Sequence, residues 1–226
     1  MKLAFPEISG KNRFHLQKVR VDALLGNLPP HLVRKNKVPL KFHRFLLRED
    51  VWGLVDQQNS RLVGKCSPPR FFLLDSYSEL TDQKFLVKNS SSFFFANYSD
   101  VSPEALMSGQ VKSVGLLNLD DLAPHFENLI ATICNQWGPI PIILMAYPPD
   151  LETRELFLTR SAAIEEVFDW LSSRYLNVSV VRPPSIEIRP DLTEAAENRV
   201  FPYHYSGAVK EQLAKNLREI CRVKET

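Results

Sequence analysis

The chain has few of the residues that build covalent or metal-held frameworks. Its 226 residues include three cysteines, Cys66, Cys134 and Cys221, which are far apart and odd in number. Without a CxxC pair, this spacing supports neither a zinc knuckle nor a disulfide framework, and it indicates free thiols in a reducing compartment. Glycine is also scarce, with eight residues, which form neither GxGxxG nor GxxxxGK. Nucleotide-dependent dehydrogenases and P-loop enzymes are therefore disfavoured.

Long apolar runs are missing as well. The apolar start of the chain is broken at Pro6 and Glu7, so no signal peptide is expected. The longest apolar run, near Ile140 to Tyr147, is interrupted by Pro141 and is far too short to cross a bilayer. We therefore expect a cytoplasmic protein without a membrane anchor or a membrane partner.

The net charge is only +2, but its distribution along the chain is uneven. Met1 to Asp50 carries 11 Lys or Arg against 4 Asp or Glu, whereas Asp100 to Tyr175 carries 4 against 11. This asymmetry fits either an anion-binding face or two solvated surfaces that happen to differ. The basic residues are scattered and lack the clustering of a nucleic-acid footprint, so no nucleic-acid partner is expected.

Periodicity in the second half of the chain predicts alternating strands and helices. Apolar residues three and four positions apart indicate helices over about 122–136, 151–175 and 207–221, with Asp121 and Ser206 as N-caps of the first and last. Apolar runs indicate strands at 70–75, about 140–147 and 177–181, with a further strand at 111–117. This alternation predicts an α/β three-layer sandwich with a mainly parallel sheet flanked by helices. Residues 67–226 would form that domain, and residues 1–66 an N-terminal extension packed on it.

Ligands in an open α/β sheet bind at the carboxyl ends of the strands, so the residues that follow the predicted strands are the site candidates. Ser76 follows the first strand, where a tight turn can expose its hydroxyl as a nucleophile, or where it can simply cap the turn. Asp75 and Glu79 either cap that turn or shape an active site and contact substrate. Asn118 is a candidate oxyanion donor or a turn former, and Tyr147 is a candidate substrate contact.

His204 is the strongest single candidate for chemistry. It lies in FPYHYS, a segment directly before the last predicted helix, beside Tyr203, which is a candidate substrate contact. A histidine held there can act as a general base near neutral pH; the alternative is a structural histidine bonded to a backbone carbonyl. The other histidines show no metal-ligand spacing, and we expect neither a metal nor another cofactor.

Three stretches of the chain resemble the SGNH (GDSL-like) hydrolases, particularly bacterial members found among polysaccharide genes. They are FFLLDSYSEL at 71–80, IILMAYPPDLETR at 142–154 and FPYHYSGAVKEQLAKNL at 201–217. The resemblance implies an SGNH/flavodoxin-like fold, with Ser76 as nucleophile and His204 as the catalytic histidine. Asn118 is a looser match to the oxyanion-hole asparagine, which would act with the backbone N–H of Ser76.

Two positions depart from the pattern of that family. Leu74 stands where the family has the glycine of Gly-Asp-Ser, and Phe201 stands where an aspartate normally precedes the catalytic histidine by three residues. Glu197 or a backbone carbonyl would then have to orient His204.

The combined features predict ester chemistry, by hydrolysis or acyl transfer, on an acylated glycan or related small molecule. Two alternatives stay open. One is a non-catalytic protein of the same fold that binds a glycan or a partner through its basic N-terminal third. The other is a metal-dependent hydrolase built on Asp75, Glu79 and Lys84. The sequence does not specify the substrate or the oligomeric state.

Overall fold

A computed structural model describes residues 20–22, 40–48, 51, 69–90, 92–147, 149–182 and 206–223. These residues form two compact units. The parallel unit comprises the described residues of 69–76 and 137–223, and the antiparallel unit comprises those of 20–51 and 77–136. The protein is therefore mixed α/β, with one parallel sheet, one antiparallel sheet and helices.

The described strands are β1 (Phe72–Asp75), β2 (Asp82–Val87), β3 (Phe93–Asn97), β4 (Val111–Gly115), β5 (Ile142–Met145) and β6 (Val178–Val181). The described α-helices are α1 (Tyr77–Thr81), α2 (Pro103–Met107), α3 (Leu119–Trp137), α4 (Glu155–Arg174) and α5 (Gly207–Val223). Short 3₁₀-helices lie at Leu40–Phe45 and Tyr98–Asp100. Within this described part of the chain, no helix is both long enough and apolar enough to span a membrane.

The parallel unit is organised around β5, which lies between β1 and β6. All four residues of β5 are buried, which is why its sequence is continuously apolar instead of alternating. The chain runs from β5 through α4 to β6, and the parallel β5–β6 pair makes this a βαβ connection. Both helices described for this unit bury an apolar stripe: Ile164, Phe168 and Leu171 in α4, and Val209, Leu213 and Leu217 in α5.

The antiparallel unit contains a three-stranded sheet in the order β3–β2–β4. One face of this sheet belongs to a core that includes Phe85 and Phe94, whose stacked rings have centroids 5.3 Å apart. The turn between β2 and β3 places Asn89 at a φ of 57°, a left-handed conformation that asparagine adopts more readily than most residues.

The helices and strands predicted for the second half of the chain are confirmed, with shifted ends. The helix expected from about residue 122 begins at Leu119, so Asp121 lies in its first turn and the N-cap prediction was wrong. Pro124 consequently lies inside α3, where it cannot donate a backbone hydrogen bond to the carbonyl of Asp120. The strand predicted near 111 belongs to the antiparallel sheet, and β2 and β3 were not predicted. The three-layer arrangement and the boundary at residue 66 stay predictions.

Candidate functional site

Ser76 lies at the carboxyl edge of the parallel sheet, one residue beyond β1. Its backbone N–H donates to the carbonyl of Met145 at 3.0 Å. Its Oγ accepts a hydrogen bond from the backbone N–H of Tyr147 at 3.1 Å. The residue is only 1% exposed. Ser76 therefore ties the ends of β1 and β5 together through both its main chain and its side chain.

These two hydrogen bonds bear differently on the catalytic prediction for Ser76. Because the backbone N–H is bonded to Met145, this structure does not present it to an oxyanion, contrary to the expectation from the resemblance. The side-chain oxygen, in contrast, uses one lone pair to accept from Tyr147, and no described residue accepts its proton. A hydroxyl in this arrangement is held in position and still has a proton to give to a base.

Asp75 and Tyr147 are the other two predicted site residues at this edge. Asp75 is the last residue of β1, lies opposite Met145 and is exposed. Tyr147 is buried, and its carbonyl accepts a 3.5 Å hydrogen bond from the hydroxyl of Ser161 in α4. The structure therefore brings Ser76 and Tyr147 into direct contact and places Asp75 beside them on the chain. Sequence reasoning missed Ser161, because nothing local marks a helical serine as a neighbour of a strand end.

A buried carboxylate organises the loop that leaves the carboxyl end of β5. Oε1 of Glu152 accepts hydrogen bonds from the backbone N–H groups of Thr153 and Arg154, at 3.0 and 2.9 Å. The guanidinium of Arg154 donates to both carboxylate oxygens, at 2.8 and 2.6 Å, and lies 4.1 Å from the ring centroid of Phe157. The side chain of Glu152 is only 2% exposed. This arrangement fixes the loop directly before α4 begins. A glutamate and an arginine two residues apart before a helical pattern are the sequence signal for it.

An ion-pair cluster lies at the carboxyl end of β6. Arg182 donates to Glu165 at 2.7 Å and to Asp169 at 2.8 Å, both in α4. Burial alone would lower the pKa of Arg182, but its hydrogen bonds to these two carboxylates, together with their charges, raise it overall. Arg182 thus remains a fixed cation, with two anions already bound, at the same edge as Ser76.

The remaining predicted residues lie in the antiparallel unit or outside the described residues. Glu79 lies in α1, is buried, and accepts a 2.7 Å hydrogen bond from the backbone N–H of Val21. Asn118 is exposed and immediately precedes α3. His204 and Tyr203, like Glu197, lie outside the described residues. In the described part of the chain, no three His, Cys, Asp or Glu side chains are grouped so that they could hold a metal ion.

Next to Glu79, an arginine that was not predicted fastens the segment 20–22 to the antiparallel unit. Arg20 is 3% exposed, forms two hydrogen bonds with Asp22 at 3.0 and 2.7 Å, and donates to the carbonyl of Gly115 at 3.0 Å. Its guanidinium lies 4.9 Å from the ring centroid of Phe95. Since the same segment donates to Glu79, the carboxylate of Glu79 has a structural role here.

No protein-family model matches the chain, and neither curated proteins nor solved structures give a significant match. Its function therefore has to be inferred from its own residues and their geometry.

Proposed function

We propose that this protein is an esterase or acyltransferase that acts at the carboxyl edge of its parallel sheet, with Ser76 as the nucleophile. The proposal rests on the hydrogen bonding of the Ser76 hydroxyl. Its oxygen is positioned by the N–H of Tyr147, and its proton is not donated to any described residue. The carboxyl end of a parallel strand is also where α/β enzymes place their reacting groups.

In the proposed reaction, Oγ of Ser76 forms a bond to the acyl carbon and gives its proton to a general base. The resemblance to SGNH hydrolases assigns that base to His204. Collapse of the tetrahedral intermediate breaks the bond to the alcohol, which leaves with the proton from the base. Water then cleaves the acyl-serine in hydrolysis, or a second hydroxyl takes the acyl group in transfer.

The finer parts of the proposal also come from the sequence. The alternation of strands and helices predicts a three-layer α/β sandwich, the cysteines and the lack of long apolar runs predict a cytoplasmic location, and the resemblance implies an acylated glycan or related small molecule as substrate. Neither a metal ion nor a nucleotide takes part in the reaction proposed here.

Fluorophosphonate labelling followed by peptide mapping tests the proposal, because these probes react with activated serines. Wild type should be labelled on the peptide that contains Ser76, and both Ser76→Ala and His204→Ala should abolish the label. Ser161→Ala is the matched control, because Ser161 is also a buried serine and also bonds to Tyr147. That variant should keep the label. Label that persists in Ser76→Ala would move the nucleophile elsewhere, and a folded wild type without label would overturn the proposal.

A second candidate is a non-catalytic binding protein of the same architecture. The 1% exposure of Ser76 favours it, because a side chain that only joins two strand ends has no need to reach solvent. On this hypothesis, the basic N-terminal third would bind an anionic glycan. Titration with a polyuronate oligosaccharide should then show binding that is equal in wild type and His204→Ala, with no fluorophosphonate label in either. Loss of binding in His204→Ala, or labelling of Ser76, would contradict it.

A further inference from the structure

The antiparallel sheet has a second face, which is distinct from the core face that carries Phe85. Strand pairing sets Leu86 of β2 between Phe93 of β3 and Lys112 of β4. Side chains two residues apart on a strand share a face, so Lys84 joins Leu86, and Phe95 joins Phe93. Lys88 directly follows β2, and Val114 lies in β4 where its register with β2 shifts. Phe95 is buried beneath Arg20. The six residues of this surface that are not buried (Lys84, Leu86, Lys88, Phe93, Lys112 and Val114) are called here the lysine face.

The lysine face carries three positive charges that have no counter-ion in the described structure. Lys88 and Lys112 are exposed, and Lys84 is partly exposed with its Nζ 4.6 Å from the ring centroid of Phe93. None of the three lysines forms an ion pair with any described carboxylate. The positive electrostatic potential of these lysines can therefore attract an anionic partner.

The same face also exposes apolar side chains between the lysines. Leu86 is 41% exposed and Val114 is 56% exposed. The outer face of a sheet is normally polar where it meets water. Branched apolar side chains alternating with lysines therefore form a surface that suits a partner with both carboxylates and apolar groups.

We propose that the lysine face binds an acidic amphipathic helix of a partner protein. Three strands about 4.8 Å apart give a face about 10 Å wide, which matches the diameter of one helix. Apolar residues of that helix, three and four positions apart, would cover Leu86 and Val114. Its glutamates or aspartates would pair with Lys84, Lys88 and Lys112.

The state of the aromatic residues disfavours a nucleic acid as the occupant. Single-stranded nucleic acids bind basic surfaces mainly where aromatic rings are open for bases to stack. Here Phe95 is 1% exposed and lies beneath the guanidinium of Arg20, and Phe93 is only partly exposed beside Lys84. The side chains that are open between the lysines are aliphatic.

Fluorescence anisotropy with the full-length protein tests the proposal. The probe is a fluorescein-labelled peptide of about 14 residues, with glutamate on one helical face and leucine on the other, long enough to cover the strands. Wild type should bind it saturably, and binding should weaken as salt is raised. Lys112→Glu should weaken binding at least about fivefold, since one attraction becomes a repulsion. Lys215→Glu is the matched control, because it makes the same charge change at an exposed position in α5, and it should bind like wild type.

Three outcomes would overturn the proposal. They are no binding of the acidic peptide, equal weakening by Lys112→Glu and Lys215→Glu, and tighter binding of a single-stranded oligonucleotide than of the peptide. Circular dichroism and urea midpoints of both variants establish that each is folded before its binding is compared. These outcomes are independent of Ser76, so they leave the proposed esterase function unaffected.

Discussion

Ser76→Ala is expected to lower the free energy of unfolding by about 2 kcal/mol, whether or not Ser76 is a nucleophile. The substitution removes the acceptor of the Tyr147 N–H and leaves that donor in a residue that is 6% exposed. A buried donor left without its partner costs about 1–3 kcal/mol. The Ser76 main-chain bond to Met145 is kept, so the effect isolates the side chain.

Urea denaturation followed by tryptophan fluorescence measures this loss, since Trp137 packs against Phe72 in the same unit, with ring centroids 5.3 Å apart. In a chain of this size, about 2 kcal/mol corresponds to a melting temperature roughly 4–8 °C lower. Ser161→Ala is the control. Its hydrogen bond to Tyr147 is long, at 3.5 Å, so its removal should cost less than about 1 kcal/mol.

The reasoning is refuted if Ser76→Ala unfolds within about 0.5 kcal/mol of wild type, well below the cost of an unsatisfied buried donor. It is also refuted if Ser161→Ala is the more destabilised of the two variants. Either result would mean that the Tyr147 N–H does not depend on the Ser76 hydroxyl.

Three further stability predictions follow from the same urea assay. Glu152→Ala should lower the free energy of unfolding by about 2–3 kcal/mol, because it removes the common acceptor of two backbone N–H groups and a guanidinium. A smaller loss than that caused by Arg154→Ala, which truncates a side chain that is 54% exposed, would contradict this. Pro124→Ala should stabilise the protein by about 1–3 kcal/mol, since it restores a helical N–H within α3, and a destabilised variant would show that the proline is needed there. Phe168→Ala should cost about 3–5 kcal/mol because the ring is fully buried, whereas Leu176→Ala, at a fully exposed position, should change stability by less than about 0.5 kcal/mol. Equal effects of these last two substitutions would be inconsistent with the described core.

Local sequence pattern was enough to predict the parallel unit but not the antiparallel sheet. The run of apolar residues in β5 and the apolar stripe of α4 each lie within one short stretch of sequence, so hydrophobic periodicity predicts both elements. β2 and β3 do not alternate cleanly, because both faces of this sheet carry large apolar side chains. Phe95, for example, is buried beneath Arg20, which comes from a distant part of the chain. Burial of that kind depends on tertiary contacts that no short window contains.

The candidate site could likewise be predicted only in part. The position of Ser76 at a strand end could be predicted, because an apolar run followed by polar residues marks where β1 stops. Its hydrogen bonds could not, because they depend on the pairing of β1 with β5, two segments that are far apart in the sequence. The Ser76 N–H is an example: the parallel ladder extends one residue beyond the strand, and this N–H donates to the carbonyl of Met145.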